Sequence, residues 1–131
     1  MDPEAVYRKL AEVTRPGGWV FHSIDLRDHR FLDTDPLAFL RETEGRYSTV
    51  KTENRLRASD HRALFDQFGF EIVAERDCVM VEGGSAVETE KPLELRPWVT
   101  SAVRDQMDAQ YRNRDLLELS TIEMRVLCRK R

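Results

Sequence analysis

Asp25, Asp28 and His29 place two carboxylates and an imidazole within the short segment IDLRDH. Groups of these types can hold an amine or hydroxyl, or take its proton during a transfer reaction. The alternative is local: Asp28 caps a turn and His29 stands exposed. A second set, Asn54, Arg55 and Arg57 in ENRLR, offers planar, paired guanidinium donors suited to a carboxylate. Its alternative is a salt-bridged loop that positions the following helix. Tyr47, Trp98 and Tyr111 can line a pocket or fill a core. A metal site made of His22, Asp25 and His29 is conceivable by residue type. Strand pleating, however, sends His22 and Asp25 to opposite faces, so no metal is expected. His22 alternates with Val20, Ile24 and Leu26 and reads as a hydrogen-bonded core histidine. Cys78 and Cys128 lie far apart in apolar stretches with no CxxC, and read as two reduced, packed thiols. The chain contains no GxSxG, HExxH or paired Cys/His signature, which disfavours an unrelated hydrolase.

The elements that must carry these groups follow from capping and periodicity. Asp2 followed by Pro3 starts a helix, Val6, Leu10 and Val13 give it an apolar stripe, and Pro16-Gly17-Gly18 ends it. Residues 19–26 open with three apolar side chains in a row and predict a strand covered on both faces. Within residues 28–50, Asp35-Pro36 starts a short helix bearing Leu37, Phe39 and Leu40. Ser59 can cap a helix bearing Leu64, Phe65 and Phe68; Gly69 supplies a left-handed exit, and residues 70–81 are strand-like. Residues 82–97 read as a long surface connection with at most a brief extended piece. Val99, Val103, Met107 and Tyr111, four apart, predict a helix over residues 98–112 that packs a core. Ile122, Met124, Val126 and Cys128 alternate with polar positions, predicting a half-buried strand over residues 120–130.

At 131 residues, 40% hydrophobic and 34% charged, the composition fits one compact domain. A net charge of −3 argues against general nucleic-acid binding, which rests on clustered Lys and Arg. The acidic start MDPEAVYRKL lacks the features of a secretory signal, and no segment has the length of a membrane span, so the expected setting is cytoplasmic, without membrane contact.

Three segments together resemble the C-terminal half of a class I S-adenosylmethionine-dependent methyltransferase. DPEAVYRKLAEVTRPGGWVFHSIDLRDH is similar to that family's fourth helix, PGG turn and fifth strand. ENRLRASDHRALFDQFGFEIV is similar to the helix and sixth strand that follow an NRLR-and-SD segment in one bacterial subgroup, and LSTIEMRVLCRKR to the closing antiparallel strand. The resemblance implies an α/β, partial Rossmann-like fold: a small mixed sheet flanked by helices, its C-terminal strand antiparallel between the two others. It also implies that Asp25, Asp28, His29, Asn54, Arg55 and Arg57 face an unknown small-molecule substrate, a methyl acceptor, across the strand edge where such sheets place ligands.

The family grips its cofactor with a Gly-rich turn after its first strand and an acidic residue after its second. Neither motif is present, since Gly17-Gly18 precedes a strand rather than following one. The resemblance therefore implies a substrate-side half whose first half lies elsewhere, by evolution or because the sequence is cut. No cofactor is expected on these residues alone, although the parent family uses S-adenosylmethionine. A half sheet leaves residues 19–26 as an open pairing template. The expected partners are a second copy, giving a homo-oligomer, or a separate cofactor-binding half. The alternative function is a non-catalytic assembly or small-ligand-binding module that retains the fold.

Overall fold

The computed structural model describes residues 2–47 and 54–131. Its elements run in the order α1 (Pro3–Val13), β1 (Trp19–Asp25), α2 (Glu44–Tyr47), α3 (Ala58–Gln67), β2 (Phe70–Met80), β3 (Ala86–Thr89), α4 (Ser101–Asp105), α5 (Leu116–Ser120) and β4 (Thr121–Lys130), with 3-10 turns at Ala38–Arg41, Pro92–Glu94 and Ala109–Tyr111. The four strands form one open sheet in the order β1-β4-β2-β3. The C-terminal strand β4 lies between β1 and β2 and runs antiparallel to both. β1 and β2 therefore share a direction without touching. This strand order is the one expected from the sequence; the mixed character is not, because the reversed strand between two parallel ones leaves every ladder antiparallel.

The N-terminal helix forms where its caps dictate. Asp2 accepts a hydrogen bond from the Glu4 N–H at 3.0 Å, Pro3 opens the helix, and the Thr14 hydroxyl closes it on the Leu10 carbonyl at 2.7 Å. Gly17 then takes a φ of 74°, and its N–H reaches the Lys130 carbonyl at 2.9 Å, fastening the turn to the end of β4. The face turned inward is Tyr7, with Leu10 and Ala11 packed beside it. Val6 and Val13, expected in the buried stripe, point outward, being 42% and 67% exposed. The reason is geometric: the Tyr7 ring meets Phe65 of α3 edge-on at 4.8 Å, and this contact fixes the rotation of the helix.

The helix α3 starts two residues earlier than a cap at Ser59 would set, with Arg57 as its cap. The Arg57 N–H donates to the Asp60 carboxylate at 2.8 Å, while Ser59 instead hydrogen-bonds Glu118. Gly69, at φ 82°, ends the helix in the left-handed conformation and β2 follows directly. β3 supplies the brief extended piece in the connection after β2, paired to it as a hairpin.

Two apolar clusters build the core. The first joins α1 and α3 to one sheet face through Tyr7, Leu64, Phe65, Phe70, Met124 and Val126. The second gathers Leu37, Phe39, Leu40, Val99, Met107, Tyr111, Leu119 and Ile122 over the end of the sheet where β2 finishes and β4 begins. Val99, Met107 and Tyr111 are buried as their spacing predicts, yet no single helix carries them. The backbone breaks after α4 because the Asp108 N–H donates to the distant Leu40 carbonyl at 2.8 Å, and the Asp108 side chain then caps the next turn. Both cysteines are free thiols, Cys128 buried and Cys78 half-buried. No described helix is long and apolar enough to cross a membrane.

The other sheet face is different. Trp19, Phe21, Ser23 and Asp25 of β1 lie on it opposite Arg129, Leu127, Arg125 and Glu123 of β4. Trp19 and Phe21 are 56% and 67% exposed. β1 is also a sheet edge, with β4 on one side and no described strand on the other.

Candidate functional site

The residues singled out by type fall in four places: Asp25 with His29, Asp28, Arg57, and the cavity of Asn54 and Arg55. Asp25 ends β1 on the bare sheet face. Its carboxylate accepts from the Arg27 guanidinium at 2.7 and 2.9 Å and from the Arg27 backbone N–H at 3.0 Å, and lies 3.1 Å from His29 Nε2. Partial burial pushes its pKa up, but the hydrogen bonds from Arg27 and His29 together outweigh burial and hold it below the usual carboxylate range. Asp28, three residues on, is buried instead. It binds Arg30 through Nε at 2.9 Å and a terminal nitrogen at 2.8 Å, and Arg30 continues to Glu42 at 2.7 Å. With the Asp28 N–H donating to the Pro36 carbonyl at 2.7 Å, this residue organises the loop after β1.

Arg57 is fully buried. One terminal nitrogen donates to the Leu26 carbonyl at 2.8 Å and the other to the Thr121 carbonyl, so the side chain staples the end of β1 to the start of β4. Desolvation, the largest influence on it, pulls its pKa down to about 10.

Asn54 and Arg55 come together with Tyr47 and Tyr111 in a cavity of about 320 Å³, completed by Pro3, Glu44, Leu56, Asp60, Gln110 and Arg114. The N-termini of α1 and α3 both reach it. Asn54 turns back to accept the Leu56 N–H at 3.0 Å. The Arg55 guanidinium lies 4.4 Å from the Tyr47 ring centre and 5.7 Å from that of Tyr111, and the Tyr111 hydroxyl donates to the Arg55 carbonyl at 3.1 Å. Arg114 grips Asp60 through both terminal nitrogens, at 2.8 and 3.0 Å. Arg57 and Trp98 do not line this cavity; Trp98 packs against the second core cluster.

His22 packs on the helix-covered face, 6.4 Å from Tyr7 and 6.1 Å from Phe65 between ring centres, and burial lowers its pKa. Its strand neighbour Asp25 projects from the opposite face, as pleating requires. Among the described residues, no group of three or more His, Cys, Asp or Glu could hold a metal ion. His61, not singled out by sequence, sits in the core with its Nδ1 2.7 Å from the Tyr7 hydroxyl; desolvation drops its pKa to about 4 and keeps it neutral.

The sequence also hides an acidic pair on β2. An extra residue at Val73 shifts the register between Ile72 and Ala74, turning Glu75 and Asp77 toward α3. Arg62 of that helix binds Glu75 at 2.6 Å and Asp77 at 3.2 Å. Burial, reinforced by the Glu75 charge, pushes Asp77 up from 3.8 to about 7, against the pull of Arg62. A carboxyl raised in the folded state stabilises most below about pH 4, and that contribution is lost as pH climbs to about 7. Asp77→Asn is therefore expected to flatten the loss between about pH 4 and pH 8, leaving the variant more stable than the parent at the upper end. Urea unfolding of both proteins at the two pH values measures it, and parallel pH profiles would contradict it.

Compared with protein-family models, curated proteins and solved structures, the chain finds no match.

Proposed function

We propose that these residues form the substrate-side half of a methyltransferase-like, Rossmann-like fold that acts with a cofactor-binding half lying outside them. The observation that carries this reading is the unfinished side of the sheet. β4 runs antiparallel between β1 and β2, as in the family the sequence resembles, and among the described residues no strand covers the outer edge of β1 beside exposed Trp19 and Phe21. Separately, α1 exposes Val6 and Val13, with Ala5 and Leu10 between them. An uncovered edge next to exposed aromatics invites a further strand and covering helices. The cavity of Asn54 and Arg55 supplies a place for a small methyl acceptor. In this reading the chain holds and orients the acceptor, and the methyl donor is gripped by the Gly-rich turn of the other half.

Two measurements test it. Calorimetric titration of S-adenosylmethionine into the 131-residue chain alone should give no binding heat; titration into the same chain joined to a Gly-rich polypeptide encoded immediately upstream should give binding, and labelled methyl transfer should follow. Micromolar binding by the lone chain would overturn the division into halves. If the upstream region encodes no Gly-rich half, the second reading takes over: a non-catalytic module that uses the same exposed surface of β1 for assembly with a second copy.

A further inference from the structure

We propose that the cavity around Arg55 is a binding site for a small monocarboxylate with a flat apolar body, and that Glu44 supplies the carboxylate at this position in the unliganded chain. This goes beyond the methyltransferase reading and does not depend on it, because binding needs no methyl donor.

Three features of Arg55 carry the inference. Its side chain is 4% exposed, so the charge is held in a weakly solvated place and needs an anion close by. Its orientation is fixed from behind, since one terminal nitrogen donates to both the Phe39 carbonyl at 3.1 Å and the Glu42 carbonyl at 2.6 Å, while Tyr47 and Tyr111 flank the guanidinium. The other terminal nitrogen is held by Glu44, with Asp108 further away at 3.6 Å. The Glu44 side chain is 73% exposed and sits on the single turn of α2. An exposed carboxylate on a buried guanidinium is readily replaced, because its other face already belongs to water.

The rest of the lining narrows the ligand. Pro3, Leu56 and the two tyrosines give flat apolar surface, and Asn54 and Gln110 add amides. Among the described lining residues Arg114 is occupied by Asp60, which leaves Arg55 as the cation offered. Asp108 close to Arg55 would repel a second negative charge, which disfavours phosphate and dicarboxylates. A single planar carboxylate can take two N–H donors from one guanidinium, and an aromatic acid fits that description. The volume of about 320 Å³ is at the small end for ligand sites.

Benzoate is the probe, with benzyl alcohol as its uncharged counterpart, titrated into the 131-residue protein and followed by nuclear magnetic resonance shifts of the tyrosine rings. Benzoate is expected to bind in preference to benzyl alcohol. Glu44→Gln, with its fold checked by circular dichroism and Asp108 left as the nearby anion, should tighten benzoate about fivefold by removing the internal competitor. Arg55→Lys, with its fold checked by circular dichroism, should abolish the preference for the acid. Benzoate affinity unchanged by Glu44→Gln, equal binding of benzyl alcohol, or no benzoate binding at millimolar concentration would each overturn the proposal. None of these outcomes bears on whether a Gly-rich half exists.

Discussion

Arg57→Met is expected to lose about 3 to 5 kcal/mol of folding stability, a large share of what a domain of this size holds. The side chain has no exposed surface, and its two terminal nitrogens satisfy the Leu26 and Thr121 carbonyls, where β1 ends and β4 begins. Methionine fills much of the volume but donates nothing, leaving two buried carbonyls without these partners at about 1 to 3 kcal/mol each. Removing a desolvated charge offsets part of this, which is why the larger sum is not expected. The backbone cap on α3 survives, because it uses the Arg57 N–H and Asp60 rather than the guanidinium. Urea unfolding should therefore show a lower midpoint with an unchanged slope. A loss under about 1 kcal/mol would mean that water or a shifted neighbour satisfies those carbonyls.

The second large effect concerns association. Trp19 and Phe21 together leave roughly 250 Å² of aromatic surface in water, worth about 6 kcal/mol if a partner covers it, before the cost of association. If the proposed assembly uses this face, Trp19→Ser combined with Phe21→Ser should weaken it at least about a hundredfold, seen by light scattering as a shift to monomer at concentrations where the parent is expected to associate. Both side chains point away from the two core clusters, so stability of the monomer should change by only about 0.5 kcal/mol. Unchanged association would place the interface elsewhere.

Much of the scaffold was legible in the residues. The caps and periods around α1, β1, α3, β2 and β4 are local signals, and the order of the three long strands followed from the family resemblance. What local patterns do not carry is the direction a buried stripe faces or where a backbone breaks. The four-residue spacing of Val99, Val103, Met107 and Tyr111 matches a helix and also matches two short turns packed on one cluster, and the choice is made by Asp108 bonding to Leu40, far away in sequence. Helix α5 had a readable signal in Asp115 and Glu118, whose spacing is that of a capping box; Asp115 indeed accepts the Leu117 and Glu118 N–H groups.

The site divided along the same line. Residue type pointed to Asn54 and Arg55, and both line the cavity with Tyr47 and Tyr111. Residue type could not distinguish Arg55 from Arg57, two positions on, although one faces a cavity and the other joins two strands. Asp25 with His29 and the buried Asp28 part because the chain turns after Leu26, sending the first pair onto the bare sheet face and the last into the loop. Glu44, Gln110 and Arg114 carried no motif, and Glu75 with Asp77, which share a face by strand period, turn toward α3 only through the extra residue at Val73.

Amide hydrogen exchange along Trp19–Asp25, recorded from dilute to concentrated protein and again with the Gly-rich polypeptide added, probes the unfinished edge directly. The outward amides of this strand should exchange quickly in the dilute monomer and become protected as a partner pairs with them. A chain that stays monomeric throughout, with every one of those amides slow, would show a sheet already closed on that side and contradict the account.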